Sequence, residues 1–332
     1  MVQVLGRSAA VLAVPDAARA VTLAALTRVG TRRPILAAVP TTAEAERLTN
    51  DLTTFLGEDA VELFPAWETL PFERVSPGIE TMGRRLRVIW RLRHAPAERI
   101  PLVVVAPVRA LVQRLGPHVE DVAPLVVKRG EIADQAELVR WLGSNGYRRE
   151  SQVEHRGEFS VRGSIVDVFP PTADAPVRID LWGDEVDRLT VFSVSDQRSV
   201  SDLEVLEAFP CRELLPTDEV RTRADGLVST EPWGREQWER LAEGQIFDGM
   251  ESWLPWLTSD ERTVVDILPE EAQVVLLEPR RLRDRAADLL ADEADLASTL
   301  ARTWEVGEGR SFPALHVPFG DLFGASRLPV WT

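Results

Sequence analysis

AAVLAVPDAARAVTLAALTRVGTRRPILAAVPTTAEAERLTNDLTTFLGEDAVELFP (Ala9–Pro65) decides the fold class. Three short apolar runs, AAVLAV (Ala9–Val14), PILAAV (Pro34–Val39) and AVELFP (Ala60–Pro65), read as buried strands. Between them lie two stretches of helical length. AARAVTLAALTRVG has Asp16 before it as a candidate cap and Gly30 as its stop. TAEAERLTNDLTTFLG has Thr41 or Thr42 as its cap, and Ala45, Leu48, Leu52 and Phe55 fall on one face. Strands separated by helices predict βαβ units and a parallel sheet.

The same alternation continues outward. MGRRLRVIWRLRHA reads as a helix, and PLVVVAPVRALVQRL as a fourth strand followed by another helix. Residues 1–118 therefore form an α/β domain. Past Pro117 the signals change to one helix, DQAELVRWLGSNG, and then short strands broken by Gly157, Gly163 and Gly183. In VRIDLWG, Val177, Ile179 and Leu181 point one way and Arg178, Asp180 and Trp182 the other. Residues 119–209 read as an α+β module of antiparallel hairpins. Residues 210–332 are helical and aromatic-rich, with a late strand, VVLLEP, and a long amphipathic helix from Pro279. Six of the ten tryptophans lie beyond residue 230, which predicts core packing there. The closing FGASRLPVWT carries no helix stop, which fits a piece of a longer chain.

Composition narrows the function. The chain has 332 residues, 45% apolar and 27% charged, so it is globular. No apolar run reaches the roughly 18 residues of a membrane span, and the opening residues lack a signal-peptide layout. With Cys211 the only cysteine, no internal disulfide is available, and a cytoplasmic location is expected. The net charge of −15 repels nucleic acid overall, so any DNA contact must be local. Lys128 is the only lysine and no glycine-rich loop precedes it. A phosphate loop needs both, and the first strand–helix turn, AVPDAARA (Ala13–Ala20), has neither. Pro15 removes a donor there and Asp16 adds a negative charge. The four histidines have no metal spacing, and no serine-nucleophile motif occurs. A binding module is the leading class and no catalytic, cofactor or metal residue is assigned.

Two stretches stand out. The first is LFPAWETLPFERVSPGIETMGRRLRVIWRLR (Leu63–Arg93), whose helix carries Arg84, Arg87 and Arg91 as candidate DNA contacts beside aromatic residues. The second runs from Gly146 to Ser199 and holds Arg148, Arg149, Arg156 and Arg162 on or beside hairpin strands. Arginine on an exposed strand suits a protein partner, since its planar fork pairs with carboxylates. Alternation places Ser160 and Arg162 together, opposite Phe159 and Val161.

FPAWETLPFERVSPGIETMGRRL and RGEFSVRGSIVDVFPP…PVRIDLWGDEVDRLTVFSVSDQRS closely resemble the N-terminal region of the bacterial transcription-repair coupling factor (Mfd) family, itself similar to UvrB. CRELLPTDEVRTRA, FDGMESWLPWL and VVLLEPRRLRDRAADLL extend the resemblance along the chain. It implies a degenerate RecA-like α/β domain (1–118), an inserted, mostly antiparallel α+β domain like UvrB domain 2 (119–209), and a segment that packs back on the first (210–332). It implies recruitment of UvrA to lesions where RNA polymerase has stalled, with Arg149, Arg156 and Arg162 as contacts and Phe169 as an apolar one. Ser160 stands where UvrB has an arginine. By the same resemblance, ATP, magnesium, DNA and RNA polymerase belong to parts of the full-length family member further along, and the insert helps autoinhibit that translocase. The alternative is a non-specific DNA-binding part of an ATP-dependent repair enzyme. No membrane partner is expected.

Overall fold

The computed structural model describes residues 6–303, 312–324 and 326–332. The first region runs β1 (Ala9–Ala10), α1 (Arg19–Val29), β2 (Ile35–Val39), α2 (Thr42–Leu56), β3 (Val61–Leu63), α3 (Ile79–His94), β4 (Val103–Pro107) and α4 (Val108–Leu111). The second comprises β5 (Leu125–Lys128), α5 (Gln135–Ser144), β6 (Arg148–Arg149), β7 (Glu158–Arg162), β8 (Ile165–Val168), β9 (Val177–Trp182), β10 (Glu185–Phe192), β11 (Ser199–Asp202) and β12 (Val205–Ala208). The third has α6 (Asp218–Thr230), α7 (Arg235–Ala242), α8 (Leu254–Leu257), α9 (Val264–Ile267), β13 (Gln273–Leu276), α10 (Pro279–Thr303) and β14 (Val330–Trp331).

The chain is mixed α/β, with one parallel and one mostly antiparallel six-stranded sheet. The parallel sheet has the order β1-β14-β13-β2-β4-β3, so strands from both ends of the chain share it. Strands β2 and β4 are buried throughout because helices cover both faces. Ile35, Ala37, Val39, Val103 and Val105 face α1 and α2. Leu36, Ala38, Val104 and Ala106 face α3, α4, α9 and α10. Thr41 caps α2, its hydroxyl accepting from the Glu44 N–H at 3.3 Å.

Several sequence expectations are corrected. The opening apolar run is an edge strand of two residues, and Val11 is exposed, because β1 pairs on one side only. Asp16 does not cap α1; its carboxylate pairs with Arg19 at 2.6 Å. Phe55 is also exposed, because the buried stripe of α2 runs from Leu48 and Leu52 on to Leu56, which packs on the core instead. The helix after β4 is only one turn long.

The second sheet has the order β11-β10-β9-β8-β7-β6, antiparallel except where β6 joins β7. Strands β5 and β12 form a separate antiparallel ribbon, with Leu125 opposite Ala208 and Lys128 opposite Val205. That ribbon brings the two ends of the insert together. Helix α5 covers one face of the sheet, over Phe159, Val166, Val168, Ile179 and Leu181. Its cap is Asp134, whose carboxylate accepts from the N–H groups of Ala136 and Glu137.

The third region gathers Trp233, Trp238, Trp253 and Trp256 with Phe72 and Phe312 into an aromatic core. Trp331 is buried too, in the core of the parallel sheet. Trp304 lies outside the described residues. Between this region and α3 sits a fully buried ion pair. The Glu213 carboxylate accepts from Arg85 Nε at 2.7 Å, Arg85 Nη2 at 3.0 Å and Trp67 Nε1 at 2.8 Å. No helix among the described residues is long and apolar enough to cross a membrane.

Candidate functional site

Helix α5 leaves the other face of the insert sheet without a helix; Ser160, Asp167, Thr190 and Phe192 on that face are buried, and its far end is open. Residues directly opposed on neighbouring strands share a face, so the register defines what that face carries. One row reads Ser160, Asp167, Arg178, Thr190 and Asp202 across β7 to β11. The next reads Arg162, Ile165, Asp180 and Arg188. A third row is formed by Trp182 and Glu185, extended by Ile132 bridging to Glu185. Two tight turns set this register. Gly163 and Gly183, both at φ 62°, each open a two-residue hairpin loop, a backbone that favours glycine at the first loop position.

Asp167 organises the charge of the face. Its carboxylate is fully buried and accepts from Arg162 Nη2 at 2.5 Å, Arg178 Nε at 2.7 Å and Arg178 Nη2 at 2.9 Å. The hydrogen bond to Asp167 raises the Arg178 pKa, against the opposing effect of burial. Arg178 also lies 4.8 Å from the Phe192 ring centre. Burial pushes the neighbouring Asp180 carboxyl above the usual carboxylate range, in spite of Arg178. Arg162 keeps 47% of its side chain exposed. The third row is open: Trp182 is 82% exposed and Ile132 76%, one on either side of Glu185. Tryptophan is ordinarily well buried, so one this exposed is a candidate contact.

The predicted contact residues scatter. Arg162 lies at the open end of the helix-free face. Arg149 is exposed on the edge strand β6, opposite Phe159, so it has the opposite parity to Arg162. Its neighbour Arg148 has the matching parity and pairs with Glu158 at 2.5 Å. Arg156 points at the first domain, pairing with Glu80 of α3 at 3.3 Å and donating to the Ala173 carbonyl at 2.9 Å. Phe169 is 6% exposed and packs with Val153 and Phe192, with Arg156 5.5 Å above its ring. Arg156 thus belongs to the seam with the first domain, and Phe169 to a small core within the insert. Ser160 is buried. Sequence reading missed Asp167, Glu185 and Ile132 as members of the face. It did place Arg178, Asp180 and Trp182 on one side of β9, which was the signal available.

The candidate DNA contacts on α3 are also engaged internally. Arg84 pairs with Glu80 at 2.6 Å. Arg87 and Arg91 converge on the buried Glu62 carboxylate at 2.9 and 2.7 Å. Their positive charge is answered by carboxylates from the same domain. Among the described residues, no group of three or more His, Cys, Asp or Glu side chains is placed to hold a metal ion.

A charged lattice and an exposed tryptophan thus share one face of a sheet borne on an insert from a parallel α/β domain. Residues 125–214, which begin with the β5 ribbon, match the family described as the UvrB interaction domain. The chain is 40% identical over 309 residues to the transcription-repair-coupling factor of Mycobacterium bovis, covering 89% of this chain and 24% of the relative. It is 30% identical over 289 residues to that of Bacillus subtilis, covering 81% and 24%. It is 31% identical over 235 residues to that of Escherichia coli, covering 68% and 20%. The chain thus corresponds to the N-terminal, UvrB-like module of the transcription-repair-coupling factors, and it spans about a quarter of the length of the curated relatives it matches.

Proposed function

We propose that this chain is a recruitment module for nucleotide excision repair, and that the open end of the helix-free face of the insert sheet docks UvrA. The observation that carries the reading is Trp182, 82% exposed, in register beside the Arg162–Asp167–Arg178 lattice. Asp167 holds both guanidinium groups in place before any partner arrives, so less side-chain freedom is lost on docking. An internally paired lattice gives orientation and selectivity more than affinity. Affinity comes from the indole, whose roughly 200 Å² of surface is worth several kcal/mol gross at about 25 cal/mol per Å². The matching surface on UvrA is an apolar pocket flanked by carboxylates for Arg162 and a cation for Glu185.

Catalysis has no support in the residues of this chain, and the first strand–helix turn lacks the cradle and lysine of a phosphate loop. ATP turnover, DNA translocation and RNA polymerase contact belong, on this reading, to other parts of the longer relatives. In an intact protein the same face is covered until it is needed, so this chain binds UvrA more tightly than the intact form does. A calorimetric titration of the chain with UvrA tests the reading. Binding that Arg162→Ala weakens at least tenfold supports it. An affinity untouched by both Arg162→Ala and Trp182→Ala removes this face from the site.

A further inference from the structure

The parallel sheet holds a second arrangement that docking does not use. The chain leaves β2 through α2 toward β3 on one side, and leaves β13 through α10 toward β14 on the other. Strands β2 and β13 are neighbours, with Ala38 opposite Leu276. The crevice outside their carboxyl ends is therefore the topological switch point of the sheet, where open α/β sheets ordinarily bind a ligand. Helices α2 and α10 both start at this crevice and lie on opposite faces of the sheet, and helix starts favour anions.

The crevice is occupied by the chain itself. Glu278, two residues beyond β13, accepts from Arg19 Nη2 on Oε1 at 2.7 Å and from Arg281 Nη1 on Oε2 at 2.6 Å. Arg281 Nη1 also donates to Glu44 Oε1 at 2.8 Å, and Arg19 pairs with Asp16 at 2.6 Å. A line of charges, Asp16–Arg19–Glu278–Arg281–Glu44, thus ties the starts of α1, α10 and α2 together. Two guanidinium groups from different helices, one on each oxygen, form the arrangement that holds a bound oxyanion in other proteins. The hydrogen bonds from Arg281 and Arg19 keep the Glu278 carboxyl below the usual carboxylate range. Its backbone sits at φ 56°, a left-handed conformation that side chains other than glycine rarely adopt. A cavity of about 310 Å³ remains beside it, walled by Val11, Leu12, Leu23, Leu26 and Val275, with Arg19 the only cation on its lining.

We infer that Glu278 is a built-in counter-anion: its carboxylate fills the switch-point site that a phosphate-type oxyanion would otherwise take, and clamps three helices without any ligand. The site is closed in the native chain and opens to oxyanions when that carboxylate loses its charge.

Neutralising Glu278 without changing its shape tests this. Thermal unfolding of Glu278→Gln and of the parent chain is compared in chloride and in inorganic phosphate at matched ionic strength. The variant is expected to melt below the parent in chloride, and about 10 mM phosphate is expected to raise its Tm by at least about 2 °C while the parent stays put. Adding Arg19→Ala to the variant is expected to abolish the recovery. A variant indifferent to phosphate, or a parent that gains equally, overturns the inference. Should Glu278→Gln fail to fold in either buffer, Glu278→Gly, which also removes the charge and suits the left-handed backbone at this position, is judged by the same two outcomes.

Discussion

The two large sheets of this protein treat their faces in opposite ways. The parallel sheet is covered by helices on both sides, and the arginines around it are matched to carboxylates, as Arg85 is to Glu213 and Arg19 and Arg281 are to Glu278. The insert sheet has a helix on one side only, and its other face, buried at Ser160, Asp167 and Thr190, ends in an indole open to solvent. Arginine content does not distinguish them. What distinguishes them is whether the tertiary structure leaves something unsatisfied: charge alone, once paired, has little left to offer a partner, whereas exposed apolar area has much.

The comparison can be broken at its strongest point first. Glu213→Ala strands a fully buried guanidinium and the Trp67 N–H, and is expected to cost about 3–5 kcal/mol in chemical denaturation. A loss below about 1 kcal/mol would mean that water reaches the site. Asp167→Ala is expected to lower stability by about 2 kcal/mol, since it removes charged hydrogen bonds from two arginines. It is also expected to weaken UvrA binding, because the arginines lose their fixed orientation; intact binding would show that the lattice does not position them. Trp182→Ala sharpens the contrast: UvrA affinity is expected to fall at least tenfold, about 1.4 kcal/mol, while thermal unfolding stays unchanged.

A smaller effect separates buried from open charge by pH. Burial raises the pKa of Glu251, beyond what Arg212 and Ser76 restore. A carboxyl whose folded pKa exceeds its unfolded value stabilises the fold when protonated, and that contribution is lost as pH rises through the folded pKa. Glu251→Gln is therefore expected to gain on the parent chain at neutral pH, with the gap closing toward acid, below the unfolded carboxyl pKa of about 4.3. A gap that instead widened in acid would reverse the assignment. The smallest change is expected from Arg84→Gln, within about 0.5 kcal/mol, because its pair with Glu80 is solvent-exposed. Salt-dependent DNA binding by the parent chain that this variant abolished would return α3 to the list of DNA contacts.

Much of the architecture was legible beforehand. Continuous apolar runs at Ile35–Val39 and Val103–Val105 are what a strand covered on both faces requires, and the helical spacing between them dictates a parallel sheet. Strict alternation in Val177–Trp182 announced a strand with one apolar and one polar face, and with it the side on which Arg178 and Trp182 lie. The missing glycines and lysine at Ala13–Ala20 already argued against a phosphate loop. These features are local: each follows from the period of a strand or helix, or from the chemistry of a single turn.

What only the tertiary structure decided is which distant groups meet. Register across four strands puts Arg162 and Arg178 on one buried carboxylate and sets Ile132 beside Glu185. Packing of α3 against the insert engaged Arg156, and the insert's own Val153 and Phe192 buried Phe169. Arg19 and Glu278, 259 positions apart, found each other because β13 takes its place next to β2. Periodicity states which face of an element is apolar; it does not state which element will lie opposite, and the energy of a charge depends on that neighbour.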